Sequence, residues 1–226
     1  MGNIIRKLWY MVAVALFCFA PCLLGQTVNM ALTSAGSNVM DGVYVGPYSA
    51  TVNGVSTQVI CIDYADDSYI GESWKATVST FSSLIGKQTS STSSTILTQQ
   101  DYNAITWLVA QMLNPKNTQI QVGEYQFAIW GVLDPAAIAS LSSWNSADGS
   151  QAETYLQEAL EQGSPSGGPF TAYIPSPDNP PQTFISDPLS VPETTPAVII
   201  LGFNLLALVA GALFLRRYTR FRFSTD

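Results

Sequence analysis

The 226-residue chain carries 9 Lys and Arg against 16 Asp and Glu, and it contains no histidine. Without histidine a Ser-His-Asp triad is excluded, and the commonest neutral-pH base and transition-metal ligand is missing. From Gln26 to Thr195 there are three lysines, no arginine and 15 acidic residues, a net charge of −12 that argues against nucleic acid as a partner.

In chain order, Arg6 and Lys7 precede an apolar segment from Leu8 to Leu24. A short basic region followed by an apolar one has the form of a secretory signal peptide over residues 1–25, cut after Gly25. The alternative is a retained N-terminal helix. Between this segment and the proline-rich stretch that starts at Gly163 lie about 135 residues, enough for one hydrophobic core and too few for two.

The first predicted β structure runs from Val43 to Tyr64. Asn53-Gly54 stands between Ser49–Val52 and Val55–Val59, the pattern of a hairpin with a type I′ turn. The second strand continues through Ile60-Cys61-Ile62-Asp63-Tyr64. Both of its faces are largely apolar, which predicts a central strand. A third strand, Ser73 to Val78, is expected to pair with it.

Asp63, Asp66 and Asp67, with Glu72, form a carboxylate cluster in the intervening loop. Several oxygens close together suit calcium, although the spacing is not that of an EF-hand, and a solvated turn is the simpler reading. Thr89 to Thr95 is made entirely of Ser and Thr and predicts an exposed, flexible loop.

Helical signals begin at Thr98. Thr98 and Asp101 form an approximate capping box, followed by an apolar stripe of Tyr102, Ile105, Leu108, Val109 and Met112. Asn114-Pro115 ends that helix. A second helix is expected over Gly123–Leu133 and a third from Asp134-Pro135. A fourth opens at Ser150 and Glu153 and ends at Gly163. Strands followed by helices predict an α+β fold, a small antiparallel sheet with a helical region after it.

Nine of the 13 prolines lie between Gly163 and Pro196, which predicts a stiff, extended stalk. Phe170–Ile174 and Gln182–Ile185 are candidate edge strands, extending the folded part as far as residue 187. Ala197 to Leu215 is apolar apart from Asn204; as a helix it would be about 28 Å long, enough for one membrane crossing. Arg216, Arg217, Arg220 and Arg222 follow it and favour the cytoplasmic side, leaving the domain outside. Val191-Pro192-Glu193, the apolar span and the arginines together resemble the PEP-CTERM sorting signal of exported bacterial proteins. Thr194 stands where that family usually has a second proline. The resemblance implies an exosortase-type enzyme as a partner, membrane lipid around the span, and a final location at the cell surface or beyond it.

If Cys18 and Cys22 leave with the signal peptide, Cys61 remains alone. A lone cysteine in an exported protein has no internal disulfide partner. Ile60-Cys61-Ile62-Asp63 and Gln126-Phe127-Ala128-Ile129-Trp130 are similar to the two motifs of bacterial surface thioester domains. The resemblance implies that the Cys61 thiolate attacks the Gln126 carboxamide, expels ammonia and leaves an activated acyl group for a surface nucleophile. The plain alternative is that Cys61 is a small buried hydrophobe and Gln126 satisfies a backbone group in the core. No arrangement of residues announces a turnover enzyme. The functional expectation is a structural or adhesive surface or matrix protein that binds a polysaccharide or protein ligand. A covalent adhesin and a polymer hydrolase are the alternatives.

Overall fold

The computed structural model describes residues 26–90, 95–166, 168–176 and 181–186. The signal peptide, the sorting motif, the apolar span and the arginine tail lie outside these residues. Within them the order is β1 (Gln26–Ser34), β2 (Val39–Met40), β3 (Val43–Tyr44), β4 (Tyr48–Val52), β5 (Val55–Cys61) and β6 (Ser73–Thr80). A 3-10 turn (Phe81–Leu84) leads to α1 (Gln99–Met112), α2 (Gln119–Leu133), α3 (Ala136–Trp144) and α4 (Ser146–Leu160). Two strands close the domain, β7 (Thr171–Pro175) and β8 (Phe184–Ser186). The class is α+β, as expected.

The sheet is larger than the sequence pattern suggests. Six strands form a closed antiparallel barrel in the order β1-β4-β5-β8-β7-β6, with β6 returning to β1. No strand is expected before Val43, yet β1 pairs with both β4 and β6 and buries Val28, Met30 and Leu32 on one face. The Asn53-Gly54 hairpin forms as expected, with both residues at positive φ (50° and 83°). Such values favour Asn and Gly and match the twist of the two strands.

Two expectations are corrected. Strand β6 does not pair with β5; its neighbours are β1 and β7. The place beside β5 belongs to β8, where Ile60 faces Ile185 and Cys61 faces Phe184. The candidate edge strands in Phe170–Ile174 and Gln182–Ile185 form as β7 and β8, but they close the barrel between β6 and β5 and do not stand at an edge. Closing the barrel satisfies the backbone groups that an open edge on β5 would leave unpaired. Phe184 anchors the closure, buried edge-on to Tyr48 at 6.0 Å and stacked on Trp74 at 5.9 Å.

The helices start from local signals. Thr98 with Asp101, and Thr118 with Gln121, each form a complete capping box. These satisfy amide groups at the helix start and are each worth about 1 kcal/mol. Helix α2 begins four residues before the expected Gly123, and α4 begins at Ser146 because Asn145 caps it. Helix α2 packs on α1, α3 and α4, and its residues from Gly123 to Gly131 are all buried. At Gly131 a methyl group would come within 2.7 Å of Ile138 Cγ1, so glycine permits the close approach of α3. Among the described residues, no helix is long and apolar enough to cross a membrane.

Burial of α2 from Gly123 to Gly131 takes Glu124 inside. Its carboxyl is pushed from an ordinary 4.5 up to about 7, by burial first and by Asp148 of α4 second. The folded state then holds a proton that the unfolded chain releases near its ordinary value, so stability falls as pH rises between those two values.

Two measurements check this architecture. A chain stopped at residue 162 lacks β7 and β8 and should lose the cooperative thermal unfolding shown by one extending past Ser186. Glu124→Gln should remove part of the loss of denaturant stability between about pH 5 and about pH 8.

Candidate functional site

Cys61 ends β5, and Gln126 lies in the middle of α2, 65 residues further along the chain. The fold brings them together. The Gln126 Nε2 group donates to the Cys61 carbonyl oxygen at 2.8 Å, and both residues are fully buried. Gln126 Oε1 has no hydrogen-bond donor among the described residues. An unpaired buried polar atom of this kind costs about 1–3 kcal/mol. Gly46, just before β4, makes the position sterically available, since a methyl group there would come within 2.8 Å of Gln126 Oε1 and 2.9 Å of the Tyr48 ring. Gly46 has no conspicuous sequence signal; only the close approach reveals it.

The thiol is held from the other side. Cys61 Sγ donates to the Asp63 carbonyl at 3.0 Å, and the Asp63 amide donates to Sγ at 3.3 Å. The same Asp63 carbonyl accepts from Gln182 Nε2 at 2.9 Å, and the Ile62 amide donates to the Thr183 carbonyl at 3.1 Å. The residues leading into β8 thus support the cysteine turn. The sequence marks Gln182–Ile185 as a candidate edge strand, but not the strand it pairs with.

Burial pushes the Cys61 thiol well up, and the Asp63 carboxyl adds to the rise. The Trp130 indole N–H, one turn beyond Gln126, opposes it without completing a hydrogen bond. The thiol therefore stays protonated and is not a free, reactive thiolate.

Of the four loop carboxylates, Asp63 is buried and not a solvated turn residue. Its carboxyl is pushed up to about 6 by burial first and by Asp66 second, while Ser90 and the Ala65 amide offset part of the rise. Asp66 accepts from Ser90 Oγ at 2.8 Å. Glu72 turns away to accept from the Tyr69 amide at 3.0 Å. Among the described residues, no three acidic or cysteine side chains converge on a point where a metal could sit. The four carboxylates weighed as a calcium site, Asp63, Asp66, Asp67 and Glu72, thus form no such group among the described residues. Thr89 and Ser90, expected in an exposed loop, are also buried, and the Thr89 carbonyl accepts from Thr183 Oγ1 at 2.7 Å.

A cavity of about 480 Å³ opens beside the pair, lined by Tyr44, Tyr48, Tyr64, Tyr69, Trp130 and Asp67 among others. Tyr48 and Trp130 belong to both the cavity and the surroundings of the Cys61–Gln126 pair. Tyr64, Phe127 and Trp130 form one aromatic cluster, with centroids 5.0 to 6.3 Å apart.

No protein-family model matches the chain, and no curated protein matches it. Among solved structures it is similar to the pilus-presented adhesin Cpa, at 15% identity over 70% of this chain, with a TM-score of 0.49. The chain spans 45% of that protein's length. It is also similar to an N-terminal thioester domain of a surface protein from Clostridium perfringens, at 11% identity, 71% of this chain and 98% of that one, with a TM-score of 0.46. A third likeness is to the N-terminal domain of the Streptococcus pyogenes pilus tip adhesin Cpa, at 12% identity, 74% and 95% coverage, and a TM-score of 0.43. These likenesses leave the roles of Cys61 and Gln126 to the geometry of this chain.

Gly46→Ala should push the Gln126 carboxamide away from Cys61. The expected result is a folded protein with an unchanged far-ultraviolet dichroism spectrum and a lower extent of any Cys61–Gln126 cross-link, read by intact mass.

Proposed function

We propose that this domain is an outward-facing adhesion module that closes an internal thioester between Cys61 and Gln126 and attaches covalently to a surface nucleophile. The observation that carries the reading is the buried Gln126 carboxamide, docked on the cysteine's own carbonyl with its oxygen unpaired. Satisfying the Cys61 carbonyl alone gives no account of that unpaired oxygen.

The chemistry follows from the placement. Sγ attacks Cδ of Gln126, the C–N bond breaks, and the thiol proton leaves with the nitrogen as ammonia. Holding the two groups together replaces an encounter in solution with an intramolecular step, an advantage of about 7–11 kcal/mol when the alignment is good. Water is excluded from the buried pair, which protects the acyl group from hydrolysis. A primary amine entering by the aromatic cavity then takes the acyl group, forms an amide and releases the Cys61 thiol. Each molecule reacts once, so the role is attachment and not turnover.

In the complete protein, residues 1–25 direct export and the span 197–215 with its arginines holds the domain outside the membrane. Val191-Pro192-Glu193 presents the tail to an exosortase-type enzyme. The aromatic cavity and the acidic surface favour a neutral or amine-bearing surface ligand over an anionic one.

The test is the intact mass of the full chain isolated in detergent, beside Cys61→Ala. The expected outcome is a mass short by one ammonia in the parent alone, followed by stoichiometric covalent gain of methylamine. A full mass with a titratable Cys61 thiol would exclude the thioester.

A further inference from the structure

An acyl group held between Cys61 and Gln126 meets whatever enters the neighbouring cavity, and the lining of that cavity describes its guest. The cavity measures about 480 Å³, and Tyr48 and Trp130 join it to the pair. Tyr44 and Tyr69 line its open side, with 49% and 67% of their surface left to solvent. Polar groups share the lining. The Ser68 hydroxyl oxygen accepts from the Gln182 amide at 2.9 Å, which leaves its hydrogen to donate. Gln182 Nε2 is taken by the Asp63 carbonyl, which leaves Oε1 as an acceptor, and the exposed Asp67 carboxylate is another. Among the described residues, no lysine or arginine lines the cavity.

Open ring faces beside a donor and two acceptors fit a guest with an apolar face and a rim of hydroxyls. A pyranose ring is such a guest: its C–H face stacks on tyrosine, and its hydroxyls both donate and accept. A fatty chain would leave the polar groups unpaired, and an anion would meet Asp67 with no cation to offset it. The transfer step narrows the guest further, because an amine attacks only when unprotonated and the site offers it no strong base. The chain has no histidine, and burial pushes the Tyr48 phenol well above its ordinary range. A carboxylate is a far weaker base than an alkylamine. At pH 7 a lysine-type amine, at about 10.4, is free in about one molecule in 2,500. The oxygens on neighbouring carbons weaken the amine of a 2-amino sugar into the range of an α-amino group, about 8, so about one molecule in ten is free.

We propose that the cavity is a saccharide subsite, and that the nucleophile it delivers to the acyl group is the amine of a 2-amino sugar in a surface or matrix polysaccharide. The inference rests on the thioester reading and names the partner to which the acyl group passes. The transfer balances: the sugar nitrogen bonds to the acyl carbon of residue 126, the C–S bond breaks, and the proton shed by nitrogen restores the Cys61 thiol.

The experiment uses the full chain in detergent at pH 7, with adduct formation followed by intact mass. D-glucosamine is the probe, Nα-acetyl-lysine amide the alkylamine, and glycinamide an α-amine without a ring. Glucosamine should add at least about 10-fold faster than the lysine derivative and about 5-fold faster than glycinamide. Tyr69→Ala and Tyr44→Ala, both at exposed positions, should lower the glucosamine-to-glycinamide rate ratio at least about 5-fold. Cys61→Ala, which cannot form the bond, should still bind a glucosamine tetramer reversibly by calorimetry, and more weakly once Tyr69→Ala is added. Equal rates for glucosamine and glycinamide, or a ratio that neither tyrosine variant moves, would overturn the saccharide subsite. A faster lysine derivative would overturn the amino sugar in favour of a protein side chain. A parent that never lacks an ammonia, with Cys61 titrating as a free thiol, would instead overturn the thioester, and tetramer binding by Cys61→Ala would still decide the subsite.

Discussion

The hydrogen bond from the Gln126 side chain to the Cys61 carbonyl joins the two halves of the molecule. One end belongs to the barrel and the other to the most buried helix. A surface hydrogen bond is worth little, but one between fully buried groups is costly to break, because each partner is then stranded without water. It therefore fixes where α2 stands relative to the end of β5.

The barrel gives that bond its stiffness. β5 is held by β4 through the hairpin and by β8 through the closing pairs at Ile60 and Cys61. Gln182 and Thr183 then tie the turn after Cys61 to the same strand. An open sheet would leave Cys61 on a fraying edge, where an activated acyl group would meet water. On the helical side, glycines at 123 and 131 let neighbours approach α2 closely; a methyl group at Gly123 would lie 2.8 Å from Met40. Packing of that density restricts side chains to single rotamers, which a reaction between two particular atoms needs.

The electrostatics of the site are built from burial and carboxylates alone. A dry environment raises the proton affinity of Cys61, Asp63 and Tyr48 together. Among the described residues, no cation is among the groups acting on them. That separates Cys61 from redox-active cysteines, which depend on nearby positive charge to form a thiolate.

What the sequence determined by itself is the part governed by near neighbours. The Asn53-Gly54 turn, the capping box at Thr98 and the stop at Asn114-Pro115 act within a few residues, and each element formed accordingly. The motifs around Cys61 and Gln126 also marked the pair, although only as two separated words. What the tertiary structure decided is everything that depends on distant partners. That the candidate strand at Gln182–Ile185 closes the barrel between β5 and β7 turned on which edge of β5 was vacant, and the choice of a partner strand leaves no local pattern. β1 alternates buried and exposed residues but lies directly after the apolar leader-like segment, which masked its period. Asp63 read as part of a wet acidic loop because composition counts charges and not burial. Its burial and raised proton affinity emerge only in the folded chain, since proton affinity depends on the solvent that the fold removes.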